Sequence, residues 1–271
     1  MYDIDFFKNT DNLKNKITKG FLKNSDCDNI DVELETLRKK FPYIYNLETT
    51  NYCNMKCVMC PRTMFMTRKN IWIDDQLFEK IISNVKTHDQ KSLEYFWHWV
   101  ENDYDQKVNE VSENGFYFSV ISRHLVLHGF GEPFLDKKLI QRIELCTKKK
   151  IPTYFSCTPA TMTVEKGEKA MEAGLGVLKF SLDAMDERKI KEIRGKKADF
   201  ADSIEKILKL LETKKKKNFK TLLVPCMIDL AVGPNDVDMH KKFLEFWSDK
   251  DVFAYIKSQD NRYMYENDKG K

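Results

Sequence analysis

The stretch PTYFSCTPATMTVEKGEKAMEAGLGVLKFSLD, residues 152–183, holds two periodicities in one unit. Residues 152–158 are a short run of strand type. A helical pattern follows and stops near Gly174, a residue suited to the left-handed turn that ends helices. Val177 to Asp183 then reads as strand again. Strand, helix and strand at this spacing make a βα unit, the element of a parallel sheet.

The same alternation extends both ways from this unit, beginning after Pro42. Upstream, Ile44 to Thr50 and His124 to His128 read as strands. Their helices start at Asp74, with Leu77, Phe78, Ile81, Ile82 and Val85 on one face, and run over Lys137 to Lys149. Downstream, a short helix closes at Gly195 and a second carries Phe200, Ile204, Ile207, Leu208 and Leu211. A strand from Thr221 to Ile228, a helix with Val237, Phe243, Leu244 and Trp247, and a sixth strand from Val252 to Lys257 complete the series. Six βα units are too few for the closed eight-unit barrel, so the expected fold is α/β, an open partial (β/α)6 barrel over residues 43–258. Residues 1–42 form a charged, partly helical N-terminal extension, and residues 259–271 a polar tail. An insertion at about 87–120, with Tyr95, Phe96, Trp97, His98 and Trp99, falls in a helix-to-strand connection. Such connections lie opposite the catalytic rim, so this one predicts a packing or partner surface.

The 271 residues suffice for one large domain or two small ones. With 42% hydrophobic and 32% charged residues the profile is that of a soluble globular protein. The net charge of +4, from 46 basic and 42 acidic residues, gives no nucleic-acid signal. No apolar run approaches the ~18 residues of a membrane span. Met1-Tyr2-Asp3-Ile4-Asp5 does not read as a secretory signal. Of the seven cysteines only Cys53, Cys57 and Cys60 are tightly spaced. Without an export signal this favours a metal site over disulfides, and a cytoplasmic setting is expected.

Cys53, Cys57 and Cys60 follow the first strand, at the rim where α/β barrels hold their sites. Iron–sulfur clusters are held by thiolates, normally four, so three leave one iron open. The spacing alone also admits a structural zinc completed by a histidine such as His128, in a non-catalytic module.

The segment Asn51-Tyr52-Cys53-Asn54-Met55-Lys56-Cys57-Val58-Met59-Cys60-Pro61-Arg62 resembles the signature of the radical S-adenosylmethionine (SAM) superfamily. The resemblance implies a 4Fe-4S cluster whose open iron chelates SAM. It further implies reductive cleavage of SAM to a 5′-deoxyadenosyl radical that abstracts hydrogen from a substrate. Met59 then packs on the adenine. Gly129-Phe130-Gly131-Glu132-Pro133 is similar to the family's glycine-glutamate-proline motif, which implies that Gly131, Glu132 and Pro133 bind the SAM amino group. Ser156, with Thr158 beside it, occupies the ribose-side position, although Pro159 replaces the expected asparagine. Ser181 and Asp183 match a SAM-reaching segment, and Arg194 the basic element that pairs with the SAM carboxylate. The resemblance covers about residues 44 to 258 and looks closest to the branch with auxiliary-cluster extensions, the SPASM and twitch groups. No cysteine follows Cys226, so either auxiliary clusters are lacking or the chain ends before a further domain. A peptide or sugar-like natural-product substrate and an electron donor such as flavodoxin or ferredoxin complete the expectation.

Strand alternation adds a face assignment. Lys179, Ser181 and Asp183 share the inner face, opposite Leu178, Phe180 and Leu182. Tyr154, Ser156 and Thr158 oppose Phe155 and Cys157. In the fifth strand Leu222, Val224, Cys226 and Ile228 form the outward set. Met227 then faces inward, as a second adenine-side candidate. Cys157 and Cys226 are expected under the outer helices, and His128 and Glu48 toward the cavity.

Overall fold

The structure is a computed structural model that describes residues 3–21, 27–36, 43–230 and 236–259. The expected tail beyond Gln259 and parts of the N-terminal extension lie outside the described residues. Five strands form one all-parallel sheet in sequential order: β1 (Leu125–Val126), β2 (Thr153–Cys157), β3 (Val177–Ser181), β4 (Leu222–Asp229) and β5 (Tyr255–Ser258). The partial barrel stands, but with five regular strands rather than six. The expected first strand, 44–50, runs beside β1 and bonds to it through Leu47 N to Val126 O (2.8 Å) and Val126 N to Tyr45 O (2.8 Å). It then leaves, because β1 offers only two residues to pair with, and Thr50 bridges Trp72 antiparallel instead.

The described helices are α1 (Ile4–Thr18), α2 (Cys27–Thr36), α3 (Pro61–Phe65), α4 (Asp75–Ile82), α5 (Gln90–Tyr104), α6 (Glu113–Arg123), α7 (Leu139–Lys148), α8 (Val164–Glu172), α9 (Glu187–Arg194), α10 (Phe200–Lys217) and α11 (Asp236–Trp247). Their ends follow local chemistry. Asp74 caps α4, Thr163 caps α8, Asp186 caps α9 and Asp199 caps α10, each side chain accepting from a first-turn amide. Gly174, at φ +94°, turns the chain out of α8 in the conformation that glycine adopts without strain.

One face of the sheet packs under this helical layer. Phe155, Cys157, Leu178, Phe180, Leu182, Leu223 and Met227 share a cluster there with Ile143, Ile207, Phe243 and Trp247. The other, concave face is filled near the strand starts by α6, whose Phe116 and Val120 cluster with Tyr154, Val177, Val224, Cys226 and Tyr255. The insertion thus supplies packing residues to this face of the sheet. It is braced from outside by α1, since Ile4 and Phe7 pack with Phe96, Trp99 and Phe118.

The face assignment holds for β2 and β3 and fails for β4. Ser181 pairs in register with Cys226, and Lys179 with Val224, so Val224 and Cys226 lie on the concave face. Met227, fully buried in the helical-layer cluster, faces outward. The inward adenine-side position expected of Met227 and the outward position expected of Cys226 are both corrected. The cause is that β4 is apolar at both parities, because α6 covers its concave side. A period of two without polar residues carries no phase.

Candidate active site

The cysteine loop crosses the C-terminal ends of the strands and is pinned at both sides. Asn51, buried, donates from Nδ2 to Lys69 O (2.9 Å) and accepts from Ile71 N at Oδ1 (2.7 Å). Its carbonyl accepts from Arg62 Nε at 3.1 Å. On the far side Val58 N donates to Ile193 O (2.9 Å), which ties the loop to the last turn of α9. Cys57 is buried, while Cys53 and Cys60 are half-buried, with Cys60 at the start of α3. Burial pushes the Cys53 thiol up to about 11 and raises that of Cys57, where Arg194 opposes the rise. Met59 is half-buried beside Cys60, whereas Met55 belongs to the core.

The glycine-glutamate-proline segment lies against this loop. A Cβ on Gly131 would stand 1.9 Å from Thr50 O, so only glycine allows the two backbones to meet there. Glu132 N donates to Tyr52 O at 2.7 Å, joining the segment to the residue before Cys53. The Glu132 carboxyl is 4% exposed. Its Oε2 accepts from Thr158 N (2.9 Å), and its Oε1 has no partner. Burial pushes this carboxyl up to about 7, with the Thr158 amide acting in the opposite direction. Pro133 is buried and begins a tight turn. Glu48, expected toward the cavity, accepts at Oε1 from Phe130 N (2.6 Å) and Gly131 N (3.3 Å). Its other oxygen pairs with Arg68 at 3.0 Å, so it shapes the loop rather than presenting itself to a substrate.

A third group joins α9 to the same place. Arg194 donates from Nε to Asp183 Oδ2 and from Nη1 to Cys57 Sγ (3.6 Å), while Asp183 Oδ1 accepts from Ile228 N (3.0 Å). Arg194, the residue that the family resemblance pairs with the SAM carboxylate, here contacts Asp183 and Cys57. A guanidinium against a thiol sulfur favours thiolate character and offsets the negative charge of a thiolate-bound cluster. Ser156 Oγ and Ser181 Oγ meet at 3.2 Å on the concave face, just below this rim. The anchoring of the loop by the Asn51 side chain and of Glu132 by the Thr158 amide are contributions that the motifs do not assign. A buried asparagine beside a cysteine loop was the available signal, but its partners lie some 20 residues on, at Ile71.

The donor set fits an iron–sulfur cluster. Three thiols sit on one rim loop, and a guanidinium touches one of them. Among the described residues no three His, Cys, Asp or Glu side chains converge as ligands of one ion must. A four-iron cluster takes each thiolate at a different corner and needs no such convergence. His128, the histidine that a zinc reading calls on, accepts from Ser156 N through Nδ1 (3.2 Å) and lies edge-on to Tyr154.

A family model described as the radical SAM superfamily matches residues 47–246. The chain belongs to the radical SAM superfamily, whose cofactors are a 4Fe-4S cluster and SAM. Its fold is similar to that of methylornithine synthase (PylB), with a TM-score of 0.51 at 12% identity, over 80% of this chain and 54% of that one. It is also similar to HydG, a maturase of the FeFe-hydrogenase, with a TM-score of 0.50 at 9% identity, over 80% and 42%. The chain therefore spans about half the length of these solved structures or less. No curated protein matches. Among the described residues no helix is long and apolar enough to cross a membrane.

Proposed function

We propose that this chain cleaves SAM reductively and uses the product radical to abstract hydrogen from a peptide or a sugar-like natural-product intermediate. The observation that carries the reading is the joining of three separate motifs at one rim: Cys57 touches Arg194, Arg194 touches Asp183, and the Glu132 amide bonds to Tyr52 beside Cys53. When bound, the cluster supplies one electron to the SAM sulfonium, which breaks a carbon–sulfur bond to give methionine and the 5′-deoxyadenosyl radical.

The chain's residues have defined work in this scheme. Cys53, Cys57 and Cys60 would hold the cluster as thiolates. Glu132 offers the unpartnered Oε1 to the SAM ammonium, whose charge stabilises the carboxylate that burial opposes. Gly131 and Pro133 hold the backbone at that distance. Met59, within the loop and next to Cys60, serves the adenine, and the hydroxyls of Ser156 and Ser181 serve the ribose side. Asp183 fixes Arg194, which carries positive charge to the cluster edge. The enzyme is read as working in the reducing cytoplasm with flavodoxin or ferredoxin as electron donor. In support, Cys53, Cys57, Cys60, Cys146, Cys157 and Cys226 are all free thiols. Residues 43–258 would form the catalytic unit, braced by α1 and the insertion.

The test is anaerobic reconstitution with iron and sulfide, followed by dithionite and SAM. A brown protein that forms 5′-deoxyadenosine is expected. A colourless zinc protein, or a cluster that leaves SAM intact, would overturn the reading in favour of a non-catalytic metal module.

A further inference from the structure

The concave face carries hydrogen-bond donors that the chemistry at the rim leaves unused. Lys179, in the middle of β3, is half-buried, with Nζ 5.8 Å from the Phe116 ring centroid and 5.9 Å from that of Tyr255. Both contacts stand at the outer limit of about 6 Å for a cation over a ring, so the aromatic floor underlies the ammonium without holding it. Among the described residues Lys179 makes no ion pair. Its register partner on β2 is Ser156, whose amide donates to Nδ1 of His128.

His128 is a second donor. Burial, with Lys179 and Lys257 acting in the same direction, lowers its pKa to about 3, so the ring is neutral. A neutral imidazole that accepts at Nδ1 carries its proton on Nε2. Lys257, in register with Ile228 on β5, adds positive charge from the far side, felt at both His128 and Cys226. Among the described residues no carboxylate pairs with Lys179: Asp183 is held by Arg194 and the Ile228 amide, Glu113 accepts from the Ser258 amide, and Glu132 lies at the rim. Among the described residues, then, Lys179 stands on this face beside a neutral donor, His128, and has no counter-ion. A half-buried ammonium in such surroundings is stabilised by a counter-ion.

We infer that this face binds an anionic group of the substrate, a carboxylate or a phosphate, with Lys179 as counter-charge and His128 as the neutral donor beside it. The inference rests on the reading of the rim as a SAM-cleaving site, and it narrows the substrate to molecules or peptides that present an anion inside the half-barrel.

The test is lysine acetylation by acetic anhydride on the reconstituted 271-residue chain, with labelling at each lysine followed by mass spectrometry. Sodium phosphate, sodium succinate and sodium chloride are compared at equal ionic strength. Lys209, ion-paired on the outer helix α10, serves as internal control. Labelling of Lys179 is expected to slow about threefold at an anion concentration twice the dissociation constant, with Lys209 unchanged. Protection by phosphate alone assigns a phosphoryl group, and protection by succinate a carboxylate. Unchanged labelling of Lys179 in both anions overturns the inference. Because labelling needs no SAM turnover, protection without 5′-deoxyadenosine formation removes the rim reading alone. Conversely, 5′-deoxyadenosine formation without protection removes this inference alone.

Discussion

At the rim of the half-barrel Glu132 is buried with one carboxylate oxygen unpartnered, and two cysteine thiols are desolvated. At the floor, on the same concave side, Phe116 lies edge-on to Tyr154 at 5.5 Å and tilted against Tyr255 at 5.1 Å. The floor is closed by its own side chains, and each ring finds a partner in the fold. The rim holds groups whose partners are not in the chain. An unsatisfied buried acceptor costs about 1–3 kcal/mol, so the rim carries a cost that only a ligand removes, whereas the floor contributes stability whether or not anything binds. The contrast separates the part of the molecule built for chemistry from the part that supports it.

The largest effect should come from the rim. Cys57→Ala is expected to lower 5′-deoxyadenosine formation at least about a thousandfold, or ~4 kcal/mol of barrier, with the circular dichroism of the fold retained. Retained cleavage would mean that the ligand set is wrong. The floor should answer in the opposite way. Phe116→Ala removes a ring of the concave cluster and should cost about 3–5 kcal/mol of stability in urea unfolding, with the SAM dissociation constant little changed. A large loss of SAM affinity without loss of stability would break the division between the two regions.

The third effect concerns pH. The Glu132 carboxyl is raised from 4.5 to about 7 in the folded protein, so the folded state holds this proton more tightly than the unfolded state. Its contribution to stability is complete below pH 4.5 and is lost as pH rises through 7. The interval corresponds to about 3 kcal/mol. Cluster-free wild-type protein should therefore lose stability between pH 5 and pH 8 relative to Glu132→Gln, measured by urea midpoints. Equal differences at both pH values would show that the rim carboxyl is not strained. The smallest effect is expected at Met227. Met227→Leu should cost less than about 1.5 kcal/mol and leave SAM affinity unchanged, because the side chain faces the helical layer. Weakened SAM binding in this variant would return Met227 to the inner face.

Much of the site was legible because it is local in the chain. Cys53, Cys57 and Cys60 lie within one loop, and Gly131, Glu132 and Pro133 are consecutive. Strand phase was legible in β2 and β3, where Ser156, Lys179 and Ser181 mark the concave side. It was illegible in β4, where α6 makes both faces apolar. The irregular path of residues 44–50 was equally hidden, because it depends on how little of β1 there is to pair with. Glu48 and Arg194 were recognised as polar residues near the site, but their partners come from other elements. Neither the Phe130 amide that Glu48 accepts nor the sulfur that Arg194 touches is a sequence neighbour.

By itself the sequence determined the alternating α/β architecture, the grouping of three cysteines in one loop and the family membership, because periodicity and short motifs are local properties of a chain. Tertiary structure alone decided which way Met227 and Cys226 point, that Arg194 serves Asp183 and Cys57, and that Lys179 stands over an aromatic floor with no ion pair among the described residues. Those outcomes depend on strand register and on helices contributed from distant segments. Their energies come from contacts between residues tens to more than a hundred positions apart, which no local pattern encodes.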